Sequence, residues 1–213
     1  MTPGASLKDR IDAVVIGASA GAVEALSTIL PALPRALKPA IFIVVHLLRG
    51  KPSLMADIFQ TRCALPVREA EDKEPIADGT IYFAPPDYHL LVDEGREGRR
   101  LSLSVDEPVN YSRPSIDVLF ESAADLYGER LMGVILTGAN ADGAAGLEAV
   151  HRAGGVTVVQ KPETALAPTM IDSALKRVSV DYVLSLDEIA TLMQSLNCRS
   201  HSDRMSNVTS QTG

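Results

Sequence analysis

Residues 12–33 read DAVVIGASAGAVEALSTILPAL. Positions 12–17 are a short apolar run closed by glycine, the pattern of a strand buried on both faces of a parallel sheet. From Gly21 onward, Val23, Leu26, Ile29, Leu30 and Leu33 recur at helical spacing until Pro34 stops the pattern. Strand, glycine-bearing turn and helix open a βαβ unit, and the pattern returns along the chain. Residues 40–45 (AIFIVV) form a second buried strand that runs into His46, and 130–136 (RLMGVIL) another that runs into Thr137-Gly138. Residues 155–160 (GVTVVQ) are a further strand. Helical spacing covers 54–59 behind Ser53, 115–126 with Ser115 as cap, 143–153, 170–176 and 186–196. Residues 66–69, 80–85, 89–93 and 101–105 are short, partly alternating segments between turn residues, and read as an antiparallel excursion of hairpins. The expected fold class is α/β: a doubly wound, mostly parallel sheet with helices on both faces and a short antiparallel hairpin excursion.

Composition agrees. The 213 residues are 46% hydrophobic and 22% charged, an ordinary globular mixture, with no tryptophan and only 4% aromatics. The core must therefore be built from Ala, Val, Ile and Leu, which suits a sheet covered on both faces better than an aromatic-rich sandwich. Twenty basic against 27 acidic side chains leave a net charge of −7, unfavourable for general binding to nucleic acid or anionic membrane. Cys63 and Cys198 stand far apart with no CxxC pair, which argues for free thiols in a reducing compartment and against a zinc site. Lys8, Asp9, Arg10 and Asp12 precede the first apolar run, unlike a signal peptide, and no apolar run approaches the ~18 residues of a spanning helix. A cytoplasmic protein is expected, with one domain over 11–197, a flexible N-terminus over 1–10 and a disordered tail over 198–213.

Three strand-to-helix junctions hold the chemistry: Gly17-Ala18-Ser19-Ala20-Gly21, Val45-His46, and Thr137-Gly138-Ala139-Asn140-Ala141-Asp142-Gly143. An open parallel sheet binds ligands beyond the carboxyl ends of its strands, so all three open onto one edge. Ser19, His46 and Asp142 can then act as nucleophile, base and orienting carboxylate, with helix-start N–H groups facing a developing oxyanion. Each residue also has a plainer reading. Ser19 fits an N-cap, His46 a structural histidine, Asp142 a cap for the helix starting at Gly143, and the glycines simple turn formers. A dinucleotide site is the competing functional reading, but G-x-G-x-x-G needs glycine at 19 and 22, where Ser19 and Ala22 stand. His46 also occupies the place of the acidic residue that would bind ribose.

The segments GASAGAVEAL, VVHL, IYFAPPDYHLLV, RPSIDVLFESAA, GVILTGANADGAAGLEAV and AGGVTVVQ, in this order from about Ile11 to Leu196, closely resemble the catalytic domain of the chemotaxis receptor methylesterases, the CheB family. The resemblance implies a serine hydrolase that demethylates glutamyl methyl esters on chemoreceptor helices, releases methanol and in many members deamidates glutamines. The family's nucleophile falls on Ser19, its histidine on His46 and its aspartate on Asp142. No metal or organic cofactor is implied, and the implied partners are methyl-accepting chemoreceptor cytoplasmic helices. The alternative is a catalytically weakened receptor-binding signalling module of the same fold.

The chain departs from the family's usual TGMGxDG at Ala139 and Asn140, and from GASAGG at Ala22; a late Met-Pro is Met170-Ile171. Ala20, Ala139 and Asn140 are candidates for the oxyanion hole, and Arg113 for substrate binding or, alternatively, a structural ion pair. Asn140 matters particularly if its position demands positive φ. His89 reads as structural, His151 and His201 as surface residues, and Asp87 and Asp117 as turn and helix-face residues. Because the resemblance begins near residue 11, a stand-alone catalytic domain without a receiver domain is expected.

Overall fold

The computed structural model describes residues 10–46, 53–96 and 98–196. The expected tail from 198, with Cys198 and His201, and residues 1–9 of the expected flexible N-terminus lie outside the described residues. In chain order the elements are β1 (Ala13–Ala18), α1 (Ala22–Ile29), β2 (Ala40–Val45), α2 (Met55–Gln60), β3 (Val67–Glu69), β4 (Ile81–Phe83), β5 (His89–Gly95) and β6 (Gly98–Ser104). They continue with α3 (Ile116–Tyr127), β7 (Leu131–Ile135), α4 (Ala144–Arg152), β8 (Val156–Gln160), α5 (Thr169–Arg177), β9 (Tyr182–Leu184) and α6 (Leu186–Gln194). Seven strands form one parallel sheet in the order β3-β4-β2-β1-β7-β8-β9, and β5 and β6 form a separate antiparallel pair.

Every residue of β1, β2, β7 and β8 is buried, because helices cover both faces. Side chains alternate between two cores, as strand geometry requires. Val14 and Ile16 point to the core built with Leu26, Ile29, Phe59, Ile189 and Met193 of α1, α2 and α6. Ala13 and Val15 point to the core built with Leu119, Phe120, Leu147, Val150, Met170 and Ile171 of α3, α4 and α5. The chain leaves β1 toward β2 on one side and later returns to place β7 on the other. This is a topological switch, and it opens a crevice at the carboxyl ends of the central strands.

The antiparallel excursion is smaller than the sequence reading had it. Only β5 and β6 form a hairpin; β3 and β4 extend the main sheet in parallel. The reason is burial: Ile81, Tyr82 and Phe83 are all enclosed, and a strand covered on both faces belongs inside the sheet. The short, mostly exposed edge strand β9 has no clear sequence signal of its own. Among the described residues no helix is long and apolar enough to cross a membrane. Cys63 is a free thiol, pushed up to about 11 by burial against the opposing pull of Arg62.

Candidate active site

Strand register brings the three junctions to one level. Ala18 pairs with Val45 and Gly17 with Ile135, so the next residues of β1, β2 and β7 emerge together. Backbone bonds hold the exits: His46 N–H donates to Ala18 at 3.2 Å, Ser19 N–H to Thr137 at 2.9 Å, and Leu136 N–H to Gly17 at 2.9 Å. Ser19 does not cap α1. That N-cap is Gly21, at φ 84°, where a Cβ would be strained, and no side chain caps it. Ser19 instead accepts the Ala22 N–H through its backbone carbonyl, and its hydroxyl takes no hydrogen bond among the described residues.

His46 Nε2 lies 2.8 Å from Asp142 Oδ2, and His46 Nδ1 lies 3.1 Å from Asn140 Nδ2. A carboxylate only accepts and an amide NH2 only donates, so Nε2 carries the proton and Nδ1 presents its lone pair. Asp142 is fully buried, at 0% exposure. It also receives Ser115 Oγ at 2.8 Å, Asn110 Nδ2 at 3.0 Å, and the N–H groups of Ile116 and Asp117 at 2.7 and 3.3 Å. The last two belong to the first turn of α3, so Asp142 caps α3 rather than the helix that follows it in sequence; Gly143 is the N-cap of α4. Ser115 occupies the N-cap position of α3, but its hydroxyl donates to Asp142 and does not cap its own helix.

Asp117, read from sequence as a helix-face residue, is only 6% exposed and caps the neighbouring helix in return. Its Oδ1 accepts Gly143 N–H at 2.9 Å and Gly146 N–H at 2.6 Å. Each helix start thus holds the carboxylate contributed by the other's segment, a favourable place for negative charge. Asn110 Nδ2 bridges the pair, 2.7 Å from Asp117 and 3.0 Å from Asp142. Asn110 and Tyr111 both have positive φ, 50° and 63°, in a turn closed by mutual hydrogen bonds between Val109 and Ser112. Burial raises the Asp117 carboxyl above its ordinary value, with Asp142 adding to the rise against the Gly146 N–H. Burial also pushes Asp142 up, but the bonds from His46, Asn110 and Ile116 outweigh it and hold that carboxyl low.

The remaining candidates fall around this centre. Ala20 and Ala139 are exposed at the two turns, and neither backbone N–H is used in the fold among the described residues. Asn140 has no positive φ, so its side chain brings no backbone strain. Arg113 Nη1 donates to Val105 and Asp106 carbonyls at 2.8 and 3.0 Å, which braces the loop carrying Asn110; no hydrogen bond joins it to Ser19, His46 or Asp142. His89 is buried, bonded to Glu107 O and to Ser115 N–H, and supports the start of α3. Asp87 lies in a turn at φ 64°, and His151 is exposed. Asn110, Ser115 and Asp117 as carboxylate supports are what the sequence reading missed. The available signal was two acidic residues, each beside the first turn of a helix.

A parallel sheet with serine, histidine and a buried carboxylate at its carboxyl edge defines an α/β domain with a candidate hydrolytic site. A family model described as CheB methylesterase matches residues 14–193. A Leptospira interrogans protein is 48% identical over 186 residues, covering 87% of this chain and 95% of its own length. A Bordetella pertussis protein-glutamate methylesterase/protein-glutamine glutaminase is 40% identical over 190 residues, covering 88% of this chain and 54% of its own length, so this chain spans about half of it. The crystal structure of the Thermotoga maritima CheB methylesterase catalytic domain superposes with a TM-score of 0.82 at 32% identity, covering 89% of this chain and 98% of that one. The chain belongs to the CheB methylesterase family.

Proposed function

We propose that this chain hydrolyses glutamyl methyl esters on the cytoplasmic helices of chemoreceptors, releasing methanol, with Ser19, His46 and Asp142 carrying the reaction in the cytoplasm. The observation that carries this reading is the 2.8 Å contact of His46 Nε2 with a fully buried Asp142, beside the Ser19 hydroxyl at the neighbouring strand end, which takes no hydrogen bond among the described residues.

Ser19 Oγ attacks the ester carbonyl while its proton passes to His46 Nδ1, the nitrogen not committed to Asp142. Asp142 holds the tautomer and supports the imidazolium that forms. The unused N–H groups of Ala20 and Ala139 are the candidates to receive the oxyanion. Collapse breaks the C–O bond, and methanol leaves with the proton returned by His46. Water, deprotonated in turn by His46, then cleaves the glutamyl–serine ester and regenerates Ser19. A glutamine side chain follows the same course with ammonia as the leaving group, in keeping with the double name of the Bordetella relative. Beside Asn110 and Asp117 lies a depression of about 430 Å³ that Lys176 and Arg177 also line, the latter paired with Glu148 at 2.7 Å.

The test is methanol release from radiomethylated receptor membranes by the purified chain and by Ser19→Ala. Release by the chain and none by the variant is expected. Equal release from both, or none from either at high enzyme concentration, excludes the proposal.

A further inference from the structure

We propose that Asn140 is a positioning residue that latches the resting site: its amide occupies the base nitrogen of His46 and must swing away before Ser19 can be deprotonated. The proposal rests on the hydrolytic reading above. Asn140 Oδ1 accepts the N–H of Asp142 at 3.2 Å, a local turn that determines which end of the amide faces the imidazole. The end that faces it is the NH2 group, 3.1 Å from His46 Nδ1. Turning the amide over loses the Asp142 N–H bond and sets an oxygen against a lone pair. Turning the ring over replaces the bond to Asp142 with a carbon. The two contacts therefore select one arrangement, with Nε2–H on the carboxylate and Nδ1 accepting from Asn140.

Nδ1 has a single in-plane lone pair. While Asn140 holds it, the Ser19 hydroxyl has no base to donate to, consistent with that hydroxyl, at an adjacent strand end, taking no hydrogen bond among the described residues. Once Nδ1 carries the serine proton, an N–H faces the N–H of the amide, donor against donor. Asn140 must therefore release the ring in each catalytic cycle. A glycine at this position, as in the related TGMGxDG pattern, has no such latch.

Two variants separate the latch from the turn. Asn140→Ser keeps an oxygen for the Asp142 N–H but is too short to reach the ring, whereas Asn140→Gly removes both contacts. In the full chain, Ser19 labelling by a fluorophosphonate probe and methanol release are expected to quicken about two- to tenfold in both variants, the span of one net hydrogen bond. The ¹⁵N resonance of His46 Nδ1 is expected to move toward that of an unbonded acceptor nitrogen. Slower labelling in both variants overturns the proposal, as does a wild-type rate in Asn140→Ser with a change only in Asn140→Gly. An unmoved ring resonance overturns it whatever the activity. If the wild-type chain releases no Ser19-dependent methanol, the hydrolytic reading fails, while the ring resonance still decides whether the contact exists.

Discussion

Asp142 accepts five hydrogen bonds in a site with no exposure, so its oxygens have one orientation available. One of them holds the His46 tautomer, and the others tie that tautomer to the start of α3. Asp142→Asn keeps the volume but sets an NH2 group among donors and destroys the tautomer preference. We expect kcat for methanol release to fall by roughly 10⁴-fold, the scale seen when a triad carboxylate becomes an amide. A kcat within tenfold of wild type excludes the orienting role. Ser19 and His46 could be picked out in the sequence because each directly follows an apolar strand, and Asp142 because it lies in the loop between β7 and α4. The partners of Asp142 were not, because Ser115 and Ile116 lie 27 and 26 positions away and meet it only through packing.

At the scale of elements, the first turns of α3 and α4 exchange carboxylates, and this exchange carries a pH signature. Asp117 is raised above its ordinary value of 3.8, so the native state holds its proton to higher pH than the unfolded chain does. As pH falls through that raised value toward 3.8, its contribution shifts in favour of the native state. Asp142, held low, contributes stability that is complete above 3.8 and lost only as pH falls below it. Asp117→Asn removes the first effect. The Tm difference between wild type and variant is expected to move toward wild type as pH falls from about 7 to about 4. A difference that stays flat across this range counts against the assignment. The same junction explains Gly17: a Cβ there would collide with Ile116 Cγ2, at the turn that holds Asp142. Gly17→Ala is expected to cost about 1–3 kcal/mol by overpacking and to lower kcat as well, measured by denaturant unfolding and methanol release. An unchanged kcat would mean that the start of α3 tolerates the shift.

Across the whole molecule, the site gathers at the carboxyl ends of the central strands, while α6, which follows the edge strand β9, packs on the sheet face that α1 and α2 also cover. Ser185 and Glu188 form a capping box there, and Lys161 bonds Glu188 at 2.8 Å. That lysine bond, with the Ser185 N–H and hydroxyl, holds the exposed Glu188 carboxyl down to about 2. Ser185→Ala is expected to cost about 1 kcal/mol of stability, seen as a drop of roughly 2–4 °C in Tm, with kcat unchanged. A fall in kcat below half of wild type at a temperature where the variant is folded would show that this face is coupled to the site.

The sequence by itself determined the alternation of buried strands and helices, since period and run length encode burial directly, and it determined which residues leave the strands at the carboxyl edge. Its reading of β3 and β4 as hairpin strands went astray because three-residue strands are too short for alternation to separate a half-covered strand from an enclosed one. Only the tertiary structure decided which helix each carboxylate caps, which nitrogen of His46 faces Asp142, and that the Asn140 amide lies against the other. Those outcomes depend on side chains from segments distant in sequence meeting within hydrogen-bond distance, and no local pattern records such a meeting.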